Sequence, residues 1–123
     1  MNVVVLRGRL TSDPAMRELQ SGSVLVSLEV STPVGADERA NTPVAWFDPP
    51  RSSSVANWSA GEEVVVLGSV RRRFYRSAGG TQSRTEVVAS TVVKAASARS
   101  VERLLADALR CLGEGRPHEL PSA

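Results

Sequence analysis

Up to Lys94 the chain alternates short β-branched, apolar runs with turn residues, the runs falling at residues 3–6, 24–30, 44–47, 63–75 and 85–94. Five strands at this spacing predict a small sandwich or barrel. Between the third and fourth runs lies DPPRSSSVANWSAG, where Asp48 suits a helix cap, Pro49 its first position and Gly61 the end of the connection. One short helix is expected there. From Ser97 onward the apolar period becomes helical: Val101, Leu104, Leu105, Ala108, Leu109 and Leu112 form one stripe, with Ser97 or Ser100 as cap and Gly113 as stop. The closing EGRPHELPSA has no periodicity and reads as a loose tail. The expected organisation is a strand domain over residues 1–95, an amphipathic helix over 96–113 and the tail over 114–123.

The order strand, strand, strand, helix, strand, strand is that of the five-stranded Greek-key OB barrel, an all-β fold that binds oligonucleotides or oligosaccharides on one face. At 123 residues the chain suits one domain, able to bury roughly two-thirds of the surface its unfolded form exposes. Cys111 is the only cysteine, so no intramolecular disulfide is expected and a reducing cytoplasm is the natural setting. No apolar run approaches a membrane span, and Met1 leads into a hydrophobic segment without the basic start of a signal peptide. The formal charge is only +2, yet Arg71, Arg72, Arg73, Arg76 and Arg84 share a window that contains no acid.

That window also holds the only tyrosine and one of two phenylalanines, in RRRFYRSAGG. Read as a strand, it puts Val64, Val66, Gly68, Val70 and Phe74 on one face, and Ser69, Arg71, Arg73 and Tyr75 on the other. Phe74 is expected inside and Tyr75 outside. A phenol among guanidiniums is the chemistry that single strands need, a π-face for bases and cations for phosphates. A purely structural alternative is that Tyr75 covers an apolar edge while the arginines protect an exposed strand from edge pairing. In PVAWF the same alternation sets Val44 and Trp46 against Pro43, Ala45 and Phe47, making Trp46 a core residue. Trp58 is expected to plug one end of the barrel.

The opening MNVVVLRGRLTSDPAMR, the segment SGSVLVSLEVST, and the block from Phe47 through GEEVVVLGSVRRRFYRSAGG to RTEVV together resemble the bacterial single-stranded DNA-binding protein family. Gly61, Gly68, Tyr75 and Gly80 fall in that family's register, and the likeness covers residues 1 to 94. The resemblance implies an OB fold, a homotetramer built from dimers, and a base-stacking role for Phe47. Two further positions where the family carries stacking tryptophans are occupied by Ala36 and Asn41. The GADERANT loop is short and carries Asp37 and Glu38, which repel phosphate. The family's acidic C-terminal tip has no counterpart; ARSVERLLADALRCLG stands there instead, an apolar stripe to be buried on the barrel, on a neighbouring subunit or against another protein.

Catalysis finds no support, since no nucleophile and base pair, metal cluster or phosphate-cradling loop can be assembled. His118 sits in the tail, and Gly79 with Gly80 reads as a hairpin tip. The expected function is cofactor-free, largely sequence-independent binding of single-stranded DNA in replication, recombination or repair, in the cytoplasm at the nucleoid. Phe47 and Tyr75 stack bases; Arg71, Arg73, Arg76 and Arg84 neutralise phosphates; Arg7 and Arg9 on the first strand are secondary candidates. No feature reads a 2′-hydroxyl, so RNA stays beside DNA as a partner. The competing expectation is a protein adaptor acting through its C-terminal helix.

Overall fold

The computed structural model describes residues 1–114. Among the described residues six strands form: β1 (Val4–Leu10), β2 (Ala15–Glu18), β3 (Val24–Pro33), β4 (Arg39–Phe47), β5 (Glu63–Ser77) and β6 (Gly80–Lys94). They are ordered β1-β5-β6-β4-β3-β2, and a further pairing of Arg9 and Leu10 with Ser31 and Val30 joins β1 to β3. That pairing closes five strands into an OB-type barrel, with β2 as a short addition on β3. β4 and β6 run parallel, through Val44↔Val87, Ala45↔Val88 and Trp46↔Ala89, while the other paired strands are antiparallel. The four exposed residues of β2 carry no alternating apolar pattern that would mark them as a strand.

Closure requires two close backbone approaches, and each falls on a glycine. A Cβ on Gly8 would lie 2.3 Å from the Ser31 carbonyl oxygen, and one on Gly68 the same distance from that of Val88. Beside Gly68 the ladder slips: Leu67 faces Thr91 but Gly68 faces Ala89, leaving Ser90 as an extra residue whose hydroxyl donates to the Leu67 carbonyl at 3.1 Å. This bulge reverses the phase of β6. Val87, Ala89 and Val92 all point into the barrel, which unbroken alternation over residues 85–94 would forbid.

The barrel interior is filled by Leu10, Val26, Leu28, Val30, Val44, Trp46, Val64, Val66 and the inward residues of β6. Trp58 is buried in the same cluster, its ring 6.1 Å from that of Trp46. The expected short helix is present as two single 3₁₀ turns, Arg51–Ser53 and Val55–Asn57, divided by Ser54 in a left-handed conformation (φ 55°). Asp48 does not cap them. Its amide donates to the Val24 carbonyl while its carboxylate accepts from the Val24 amide, both at 2.8 Å, which pins the start of β3.

The helix α1 (Ala98–Glu114) starts where the Ser97 carbonyl accepts from the Val101 amide at 3.0 Å, so Ser97 is its cap. It lies on the outer side of β5 and β6, packing Val101, Leu104 and Ala108 onto Val65, Leu67 and Val93. Cys111 is buried on the same side. The rest of the stripe is uncovered: Leu105, Leu109 and Leu112 are exposed. Beyond Ser69 the β5–β6 hairpin leaves the barrel as a two-stranded arm, paired from Arg71↔Glu86 to Ser77↔Gly80 and reaching roughly 20 Å. Its tip is Ala78–Gly79, with Gly80 at φ 106°. The expected tail and His118 fall, apart from Glu114, outside the described residues.

Candidate nucleic-acid interface

Strand register decides which side chains meet. On β4, Ala45 and Phe47 point outward, because Val44 and Trp46 point in. Ala45 lies beside Val88 across the parallel pair and beside Ser27 across the antiparallel one. On β6 the outward series is therefore Val88, Glu86, Arg84 and Gln82; these face Ser69, Arg71, Arg73 and Tyr75 on β5. Phe47, Arg71, Arg73, Arg84 and Tyr75 thus share one continuous outward face spanning β3, β4, β6 and β5. Phe47 is half-buried at the foot of the arm, in a groove of about 400 Å³ that Arg71, Arg73, Phe74 and Val88 also line.

Phe74 is not inside. It is 65 % exposed, more than Tyr75 at 46 %. Alternation does separate the two rings, but at that height there is no second layer for either face to be packed against, because the barrel has ended at Ser69. Strand twist then lets Phe74 reach the rim of the Phe47 groove. Arg76, paired with Thr81, lies on the Phe74 side of the arm.

The acid-free window of the sequence is not acid-free in space. Arg73 Nη2 lies 3.4 Å from Oε1 of Glu86, which is only 4 % exposed, and Arg84 Nη2 lies 3.0 Å from Oε1 of Glu29. Both acids belong to the outward alternation, Glu86 two residues after Arg84 and Glu29 two after Ser27. That signal was readable in each strand separately; that β3 and β6 flank β4 was not. Among the described residues Arg71 and Arg76 carry no ion pair.

Arg7 and Arg9 stand apart from this cluster. They pair in register with Val65 and Glu63, roughly 20 and 26 Å along β5 from Arg71. The Arg7 guanidinium binds both oxygens of Glu63, at 3.2 and 3.4 Å, and Arg9 Nη1 donates to the Gly61 carbonyl at 3.1 Å. The Arg7 hydrogen bond holds the Glu63 carboxyl below the usual carboxylate range, and Glu63 in turn raises Arg7. Ala36 and Asn41 are exposed, Ala36 in the turn at residues 34–38 and Asn41 on β4 opposite Ser31. Arg39 is turned back onto Ser31, with Nε 2.7 Å from the hydroxyl.

The arrangement can hold an extended chain of π-faces and phosphates, with rings at Phe47 and Tyr75 and guanidiniums between them. Among the described residues no group of His, Cys, Asp and Glu is placed to hold a metal ion, and no helix is long and apolar enough to cross a membrane. No curated protein matches the chain at a significant level. The model of the single-strand binding protein family matches residues 1–95, well over half of the chain, and the chain belongs to that family.

Proposed function

We propose that this chain binds single-stranded DNA, largely without regard to sequence, and shields it during replication, recombination or repair. The observation that carries the reading is the shared outward face of Phe47 and Tyr75 with Arg71, Arg73 and Arg84 between them. Bases stack on the two rings; phosphates meet the guanidiniums of these arginines and of Arg76, with Arg7 and Arg9 available to a strand that wraps further. Membership of a non-catalytic binding family supports the reading, as does the projecting arm, whose exposed arginines need an anionic partner more than a fold does. The working unit is a homotetramer built from dimers, in the cytoplasm at the nucleoid.

Titration of labelled oligo-dT and oligo-U at two salt concentrations tests this. Binding should weaken steeply as salt rises, with log K falling against log salt at a slope steeper than about −1. A slope near zero overturns the reading. A second reading, an adaptor acting through α1, is favoured by exposed Leu105, Leu109 and Leu112. It expects a salt-insensitive protein complex that Leu109→Asp abolishes.

A further inference from the structure

The outward face also has a recess, walled in part by Arg73 and Arg84, two of the arginines assigned above to phosphate. It measures about 190 Å³ and lies between the β1–β2 turn at Ser12 and Asp13 and the foot of the arm at Arg73 and Arg84. A volume of about six liquid waters, at ~30 Å³ each, has room for one flat heterocycle. Its floor is Ser27, Pro43 and Ala45, neighbours across the β3–β4 ladder whose small side chains let the surface sink. Its walls are the two ion pairs, Glu86 with Arg73 and Glu29 with Arg84. Asp13 lines it too, but its Oδ1 accepts from the Ala60 amide at 2.8 Å. Glu29 and Glu86 likewise give Oε1 to Arg84 and Arg73, but a carboxylate has about four acceptor sites, so each keeps some for a ligand, Glu29 the more open of the two; the donors are the two guanidiniums, each held in place by its carboxylate.

We propose that this recess is a subsite for one unstacked guanine of a bound strand, an inference that rests on the single-strand reading above. Guanine alone among the four bases carries two adjacent donors, N1–H and the N2 amine, which one carboxylate accepts side by side. On its far edge it carries the O6 and N7 acceptor pair that a guanidinium fork fits. Adenine and cytosine offer one amine beside an acceptor, and thymine one N–H between two carbonyls that a carboxylate repels. Pro43 and Ala45 supply an apolar bed for the ring face. The preference applies at one nucleotide position, on a face that stacks every other base without reading it.

Fluorescence anisotropy with an oligo-dT just long enough for one chain, and with the same oligomer carrying one central dG, tests the subsite. The single dG should tighten binding by on the order of tenfold. Deoxyinosine, lacking the N2 amine, and 7-deazaguanine, lacking N7, should each lose part of that gain, and dA all of it. Glu29→Gln, an isosteric change at a half-exposed position, should bring the dG-to-dT affinity ratio close to one, and Glu86→Gln should do the same. Equal affinity for the dT and dG oligomers, or an equal gain from dA, overturns the guanine subsite and leaves the single-strand reading standing. No binding of either oligomer overturns that reading and the subsite with it.

Discussion

Glu86 is buried on the outward face of the sheet with Oε1 3.4 Å from Nη2 of Arg73, so one of the cations offered to phosphate already has an internal partner. Glu29 holds Arg84 in the same way at 3.0 Å. Four unengaged arginines would give a salt slope of about −3 for a single strand; with two of them held by carboxylates, about −1.5 is expected. Glu86→Gln releases Arg73 and should steepen the slope by about 0.7, measured with oligo-dT.

The two tryptophans are in the core and the proposed stacking rings are not tryptophan, which can be read optically. Saturating oligo-dT should quench tryptophan emission only slightly, because Trp46 and Trp58 are both buried in the barrel. Tyr75→Ala should weaken binding by about 1 to 3 kcal/mol. Trp46→Ala should instead destabilise the fold, by about 3 to 5 kcal/mol in denaturant titration. Strong quenching with affinity indifferent to Tyr75 would reverse the assignment of faces.

Phe74 offers a direct test of where the barrel ends. An inward phenylalanine replaced by alanine costs about 3 to 5 kcal/mol, whereas at its observed exposure Phe74→Ala should change stability by no more than about 0.5 kcal/mol. Urea midpoints of the two proteins decide it.

Along α1 the buried and exposed leucines alternate in consequence as well as position. Leu104→Ala should cost about 2 to 5 kcal/mol, since Leu104 packs on Val65 and Leu67. Leu109→Ala should cost no more than about 0.5 kcal/mol in the isolated chain, since its side chain is 69 % exposed. A larger loss at Leu109, accompanied by a lower mass in solution, would place that ridge in a subunit interface.

The Arg7–Glu63 pair has a defined sign in pH. Glu63 titrates below the ordinary carboxylate range because Arg7 hydrogen-bonds its charged form, so its contribution to stability is present above the unfolded carboxylate pKa and is lost as pH falls through the lowered one. Arg7→Ala should return the Glu63 midpoint toward the ordinary range, followed by NMR titration of the side-chain carboxyl. Both groups are exposed, so the effect on overall stability should be small.

Period and punctuation in the sequence determined a great deal by themselves. Runs of β-branched residues between turns specify the strands of a barrel, and the step to a 3.6-residue period at Ser97 specifies a closing helix. The outward set Phe47, Arg71, Arg73 and Tyr75 followed from alternation within β4 and β5, together with family resemblance for Phe47, because alternation is a property of the single strand. What tertiary structure decided depends on relations between strands. Phe74 is exposed because the barrel stops below it; Val92 and Ala89 both point inward because Ser90 forms a bulge where Gly68 lets the backbones approach; Glu86 and Glu29 reach the arginines because β4 lies between β3 and β6. Only half of the helical stripe is covered, because the outer surface of β5 and β6 buries one side of the helix and a 3.6-residue period cannot say how wide that side is. Local periodicity states which way a side chain points; what it meets there is fixed by residues far away in the chain.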